Sequence, residues 1–214
     1  YPTPTGGFNE KQQIALTWAG GAGTAHANVT SAFRLWSNVA RDVAQAEGLS
    51  LTQTARLFAL MTASMHDSVQ TSQTSKFIYM LWRPETAIAR AGTDNNDATT
   101  APTTTWTPLL TTPPYPSHSS NMQCIGAGAA GILRNVFRGE KSFTATWYES
   151  DTITPPATTP PVERSKAYST FSELMIEEGN SRVWGGIHFR FELDASIVAC
   201  TNVADYLYDN YMLP

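Results

Sequence analysis

The sequence is poor in charged residues and in long hydrophobic runs. Only 15% of its 214 residues are charged and the net charge is −4, so it lacks the excess of basic residues that nucleic-acid binding requires. No apolar run approaches the ~20 residues needed to cross a bilayer, and we expect no membrane span. The segment starting at Tyr1 does not have the charged start and apolar core of a secretory leader. Abundant Thr, Ala, Ser, Pro and Gly indicate a secreted or periplasmic protein.

Cysteine is also scarce. Cys124 and Cys200 are too few for a metal-binding cluster. Both lie in apolar segments that are predicted to be helical, which favours two buried free thiols. A disulfide between them is the alternative, because the sequence alone does not give the distance between the two side chains.

The apolar residues, by contrast, are plentiful and recur at helical spacing. They make up 42% of the chain, which is enough for one domain with a real core. No strand pattern of comparable length occurs, so the sequence predicts an all-α helical bundle. Ser50 is a predicted N-cap and Gly48 a predicted helix stop. The predicted helices cover residues 28–47, 51–69, 74–89 with an interruption at Pro84, 121–136, 162–178 and 186–208.

Long Pro/Thr-rich loops separate these helices. Residues 92–116 and 150–161 are predicted loops of this kind, and loops of such length are usually functional. Residues 1–27 are predicted to be an irregular N-terminal arm. Residues 28–214 are predicted to form a single helical anion-binding domain.

Basic side chains occur in two well separated segments. Lys76 and Arg83 are seven residues apart, about two helical turns, so we expect them on one helical face. Arg182 and His188 flank a pair of glycines at the start of the last predicted helix. The planar fork of arginine suits tetrahedral oxyanions, so the four side chains together indicate one oxyanion pocket.

A third segment supplies hydrogen-bond donors to the same predicted pocket. Ser120 and Asn121 stand at the start of the predicted helix 121–136, which is rich in glycine and alanine. Backbone N–H groups at a helix N-terminus bind phosphate-like anions. Any one of these residues alone would be an ordinary surface or structural residue. The prediction therefore depends on the three segments occurring together.

The order of these motifs resembles a known family. Three motifs follow one another: Lys76-(six residues)-Arg83-Pro84, a Tyr115-Pro116 loop leading into the glycine-rich helix, and Ser181-Arg182-(five residues)-His188. Together they resemble the vanadium-dependent haloperoxidases, which share this signature with the type-2 phosphatidic-acid-phosphatase superfamily and the bacterial class A acid phosphatases. The resemblance covers about residues 10–210, and the residues around the first and last motifs are most similar to the bacterial haloperoxidases.

The resemblance implies a role for each motif residue. His188 would be the axial ligand of vanadate, or the nucleophile in a phosphatase. Lys76 would also polarise hydrogen peroxide. The residues implied to hold vanadate, or phosphate in the same site, are Lys76, Arg83, Ser120, Asn121, Arg182 and His188.

The middle motif departs from the family pattern of Pro-Ser-Gly-His, and two alignments are open. An ungapped match places Ser120 on the family's serine and Met122 on its acid/base histidine. A shifted match instead uses Pro116-Ser117 and His118, with one residue deleted. The ungapped match is favoured because both flanks then fit. In that case His118 would have to supply the missing acid/base group from upstream.

The resemblance therefore implies a vanadium-dependent haloperoxidase that oxidises a halide with hydrogen peroxide. The alternatives are a phosphomonoesterase that uses the same pocket, and a phosphate- or vanadate-binding protein without turnover. Family domains are usually longer, so the chain is interpreted as the C-terminal half of a larger haloperoxidase-like domain. A cleaved N-terminal chain or a homo-oligomer would then complete it.

Overall fold

The computed structural model describes residues 9–18, 31–93, 106–149 and 162–213. Within these ranges the fold is mostly helical, as predicted. The helices are α1 (Glu10–Thr17), α2 (Ala32–Ala46), α3 (Leu51–Tyr79), α4 (Pro84–Ala89), α5 (Asn121–Phe137), α6 (Phe171–Trp184) and α7 (Arg190–Asn210), and the strands are β1 (Phe143–Glu149) and β2 (Val162–Tyr168). No helix in the described ranges combines the length and apolar character needed to cross a bilayer.

Helix α5 lies at the centre of the bundle and packs against α3, α6 and α7. Its small residues allow this close packing. A Cβ atom added at Gly128 would lie 2.6 Å from Ser68 Oγ on α3, and one added at Gly131 would lie 2.5 Å from Ala204 Cβ on α7. The run of glycine and alanine thus lets three helices approach the same helix from different sides.

The ends of α2 and α3 follow the signals in the sequence. Ser50 caps α3 by accepting a hydrogen bond from the Gln53 amide, as predicted. Gly48 has φ +69° just after α2, a conformation that glycine adopts without strain. The prediction was wrong about the far end of α3, which continues beyond residue 69 to Tyr79. It ends where Met80 adopts the left-handed conformation.

The helix predicted at 162–178 was partly wrong. Residues 162–168 form β2, which pairs antiparallel with β1 from Phe143↔Tyr168 to Glu149↔Val162. Strand β2 depends on pairing with β1, a tertiary contact that local spacing does not report. Helix α6 begins only after Thr170, whose side chain caps it. The last helix likewise starts at Arg190 rather than near residue 186.

Two further predictions need correction. The predicted irregular arm contains α1, which begins with a capping box between Asn9 and Gln12. Cys124 and Cys200 are not free thiols: they form a disulfide that joins α5 to α7, with their Cα atoms 5.3 Å apart. The predicted loop 150–161 and residues 94–105 of the loop 92–116 lie outside the described residues.

Candidate oxyanion-binding site

Basic side chains from distant parts of the chain meet at one cavity of about 220 Å³. Lys76 from α3, Arg182 from α6 and His188 before α7 line it. Arg83 is not among the lining residues but contacts His188, with its Nη1 3.1 Å from His188 Nε2. The sequence-predicted convergence of these four side chains is thus present. The apolar part of the cavity is lined by Phe33, Val69, Met122, Ile125 and Ile187.

His188 is held by a buried carboxylate. Its Nδ1 lies 3.0 Å from Glu192 Oε2, one turn along α7. Glu192 Oε2 also accepts hydrogen bonds from Ser117 Oγ at 2.9 Å and from the Phe189 amide at 2.7 Å. Since the Arg83 guanidinium can only donate, His188 Nε2 is the acceptor and Nδ1 carries the proton. The imidazole is therefore oriented with an unprotonated Nε2 beside the cations.

Burial keeps this histidine neutral. It lowers the pKa of His188 to about 4, although the hydrogen bond and charge of Glu192 act in the opposite direction. Burial alone would raise the pKa of Glu192, but hydrogen bonds from His188 and the Phe189 amide outweigh it and lower that pKa. At neutral pH the pair is thus an imidazole beside a carboxylate.

Lys76 is fully buried at the far end of α3. Its Nζ donates to the carbonyl of Ser117 at 2.8 Å and to that of Ser119. Burial, reinforced by the charge of Arg83, lowers the pKa of Lys76 to about 7. The prediction that Lys76 and Arg83 share a helical face was wrong. Helix α3 ends at Tyr79, and the irregular residues 80–83 that follow bring Arg83 to His188.

Arg83 holds the loop before α5 against the start of α7. Its guanidinium donates to the carbonyls of Tyr115 at 3.2 Å and Pro116 at 3.4 Å. It also donates to the Ile187 carbonyl at 2.8 Å, beside its bond to His188. Burial lowers the pKa of Arg83, but the group remains a cation.

Arg182 is buried close to Glu178, one turn earlier on α6. Its Nη1 donates to the Trp18 carbonyl at 2.9 Å, and Glu178 accepts a 2.8 Å hydrogen bond from Trp36 Nε1. Burial lowers the pKa of Arg182 to about 10 and raises that of Glu178 to about 8; the attraction between the two groups partly offsets both shifts. Glu178 thus compensates the charge of Arg182 only when its carboxyl group is ionised, which the raised pKa shifts to above about pH 8.

Ser120 and Asn121 are placed differently from one another. Asn121 lines the cavity, and its Oδ1 accepts a 2.7 Å hydrogen bond from Ser72 Oγ. Ser120 caps α5 but is not among the residues that line the cavity. Its amide donates to Ser196 Oγ at 3.0 Å, so this predicted anion donor is already engaged with α7.

The two candidates for the acid/base position are separated in space. Met122 lines the cavity, as the ungapped alignment predicts for a residue in the histidine position. His118 does not line it. The His118 ring packs between Tyr79, at a centroid distance of 5.1 Å, and Phe191, at 6.2 Å.

Sequence reasoning missed the carboxylates behind the cations. Glu192 follows His188 by four residues, and that spacing on a helix would have indicated the pair. Glu178 precedes Arg182 by the same interval. Ser117 and Ser196 left no such signal, because they contact Glu192 and Ser120 only through the tertiary fold. The described residues hold no group of three or more His, Cys, Asp or Glu side chains placed to share a metal ion.

Comparison with known proteins identifies the class. Residues 56–213 match the family described as VCPO second helical-bundle domain, and the chain belongs to that family. Among individual proteins, it is 24% identical over 193 residues to the vanadium chloroperoxidase of Curvularia inaequalis, a match that covers 73% of this chain and 31% of the relative.

Solved structures of bacterial vanadium-dependent haloperoxidases share the fold. The first bacterial vanadium-dependent iodoperoxidase matches with a TM-score of 0.71 and 23% identity, over 94% of this chain and 44% of that chain. A holo-type bacterial vanadium-dependent chloroperoxidase matches with a TM-score of 0.66 and 18% identity, over 94% of this chain and 43% of that chain. The chain thus spans less than half the length of the relatives it matches.

Proposed function

We propose that this chain carries the vanadate site of a vanadium-dependent haloperoxidase, an enzyme that oxidises halide with hydrogen peroxide. The supporting observation is the orientation of His188. Its Nδ1 is bound to Glu192, and its unprotonated Nε2 accepts a hydrogen bond from Arg83. Nε2 would become the ligand atom by exchanging that hydrogen bond, beside Lys76 and Arg182 in the cavity wall. A single imidazole surrounded by cations suits an anionic metal oxide, whose charge the cations neutralise.

The residues present fit vanadate in size as well as charge. A cavity of about 220 Å³ holds roughly seven waters at ~30 Å³ each, which is more than a tetrahedral oxyanion needs. His188 would hold the vanadium, and Lys76 and Arg182 would face its oxygens. Arg83 would contribute its charge from beside the His188 ring. When bound, vanadate supplies the activation of peroxide towards halide.

Each residue of the chain then has a definite task. Glu192 keeps the proton on Nδ1 of His188 and fixes the ring. Lys76, with a pKa of about 7, holds or releases a proton near neutral pH and would do so beside bound peroxide. Asn121 adds a hydrogen-bonding side chain at the cavity wall. His118 packs outside the cavity lining, so we assign the acid/base task to Lys76 instead.

The disulfide supports the proposed location. Disulfides persist in oxidising compartments, so Cys124–Cys200 fits a secreted or periplasmic protein. We also propose that the bundle is completed by additional helices, from a cleaved N-terminal chain or a second copy.

The test of this function is vanadate-dependent halogenation. The protein is incubated with vanadate, hydrogen peroxide and bromide or iodide, and bromination or iodination of a phenolic indicator is followed. We expect His188→Ala to abolish activity. His66→Ala, an exposed histidine paired with Asp67, should leave it unchanged. Halogenation that is equally fast without vanadate, or in His188→Ala, would overturn the proposal.

Phosphomonoester hydrolysis is the second candidate, and the pKa of Lys76 is the observation that favours it. A lysine titrating near neutral pH could protonate a leaving group while His188 attacks the phosphorus in line. Vanadate-inhibited hydrolysis of p-nitrophenyl phosphate would support this activity. Phosphate binding without either activity would indicate a binding protein.

A further inference from the structure

Met122 places an oxidisable thioether in the wall of the proposed reaction cavity. It is the second residue of α5 and lines the cavity together with Lys76, Arg182 and His188. A thioether is soft and polarizable, and it accepts an oxygen atom from strong two-electron oxidants to give a sulfoxide. Met122 therefore lines the cavity in which such an oxidant would be formed.

The other methionines in the described ranges are placed differently. Met61, Met65 and Met175 are buried in the core, with 0%, 2% and 4% of their surface exposed. Met80 and Met212 are exposed at 64% and 51%. None of these five is among the residues that line the cavity. The chain thus contains protected and solvent-exposed controls for the reactivity of Met122.

We propose that Met122 is an oxidative modification site, converted to its sulfoxide by hypohalous acid formed in the same cavity. The inference rests on the proposed function, which supplies this oxidant. The sulfur gains the oxygen atom and loses two electrons. The halogen returns to halide, and the hydroxyl proton is released. One hypohalous acid and one thioether thus give one sulfoxide, one halide ion and one proton.

Proximity makes Met122 the preferred target. An oxidant released beside it meets that sulfur before it is diluted into solvent, which is the advantage of a high effective concentration. The product places a polar sulfoxide in the wall shared with Val69 and Ile125. We expect this change to slow turnover, so the enzyme would lose activity in proportion to the hypohalous acid it has made.

The experiment maps methionine oxidation during turnover by peptide mass spectrometry. The protein is incubated with vanadate, peroxide and bromide, and parallel samples omit vanadate or bromide. We expect the Met122 peptide to gain one oxygen at least tenfold faster in the complete mixture. Met80 and Met212 should oxidise more slowly than Met122 in the complete mixture, because hypohalous acid reaches them only after dilution, and Met61 should stay unmodified. Met122→Leu should survive several-fold more turnovers, whereas Met212→Leu should match the wild type.

Halogenation measured in the same tubes separates the two proposals. Halogenation with unmodified Met122, or with Met122 oxidised equally in all samples, would overturn the inference and leave the proposed function standing. Vanadate-dependent oxidation of Met122 without halogenation would overturn the proposed function, because no halide is oxidised. It would also show that the oxidant of Met122 is not hypohalous acid. If neither halogenation nor vanadate-dependent oxidation occurs, both proposals are overturned.

Discussion

Replacing Lys76 with methionine should change how the stability of the protein depends on pH. Burial lowers the pKa of Lys76 from 10.5 to about 7 in the folded chain. Between these two values the unfolded state holds a proton that the folded state has released, so stability rises with pH across this window. Below pH 7 both states are protonated, and the folded protein then carries the full cost of a buried cation.

The size of the effect follows from the shift. A displacement of about 3.5 units corresponds to roughly 5 kcal/mol at ~1.4 kcal/mol per unit. The Lys76→Met side chain retains most of the apolar stem and removes the charge. The lost hydrogen bonds to Ser117 and Ser119 add a penalty that does not vary with pH. The stability of the variant minus that of the wild type should therefore fall by about 4 kcal/mol between pH 6 and pH 10.5, because the unfolded lysine is half deprotonated at the upper limit.

Urea unfolding at unit pH intervals measures this difference. Leu60→Met is the matched control, because it also places methionine on the buried face of α3 without changing a charge. Its stability relative to the wild type should be the same at every pH. Saturating phosphate should stabilise the wild type more than Lys76→Met at pH 6, since the anion offsets the buried charge. A gap between Lys76→Met and the wild type that does not vary with pH would refute the reasoning.

Three further predictions concern other parts of the fold. Glu192→Gln should weaken vanadate binding ~10- to 100-fold, because it loosens the orientation of His188. Fluorescence titration measures the affinity, and an unchanged affinity would contradict the role of Glu192. Removing the disulfide by Cys124→Ala with Cys200→Ala should lower the free energy of unfolding by about 4 kcal/mol, since the bridge closes a 76-residue separation. Calorimetry of both forms tests this, and equal melting temperatures would count against it. Gly128→Ala should lower the free energy of unfolding by ~1–3 kcal/mol, because its Cβ would clash with α3. Urea unfolding tests this, and wild-type stability would show that α3 can shift without cost.

The helices were the most predictable part of the fold. Ser50 caps a helix and Gly48 adopts a positive φ, so both mark helix ends by their own conformation. The small residues of α5 indicate close packing. Strand β2 was missed because its conformation depends on β1, which precedes it by a long segment. Free thiols were wrongly favoured over the disulfide for the same reason, since only the packing of α5 on α7 brings Cys124 and Cys200 within reach.

The charged residues of the candidate site were predictable, whereas the groups that hydrogen-bond to them were less so. The resemblance pointed to His188, Arg182 and Lys76, and the structure brings all three to one cavity. The main-chain groups that bind these side chains could not be predicted from the sequence. Arg182 is anchored by the carbonyl of Trp18, 164 residues away in the chain, and a main-chain carbonyl leaves no mark on the sequence.

The hydrogen bonds from Lys76 and Arg83 to the loop carbonyls have a consequence for selectivity. Both cations already share their protons with the peptide groups of Tyr115, Pro116, Ser117 and Ser119. An anion that binds here must compete with the main-chain carbonyls for those protons. Anions with several charged oxygens compete well because each oxygen can replace one carbonyl, whereas a monatomic halide offers a single centre with one charge. The same arrangement would therefore retain an oxyanion and let halide exchange freely.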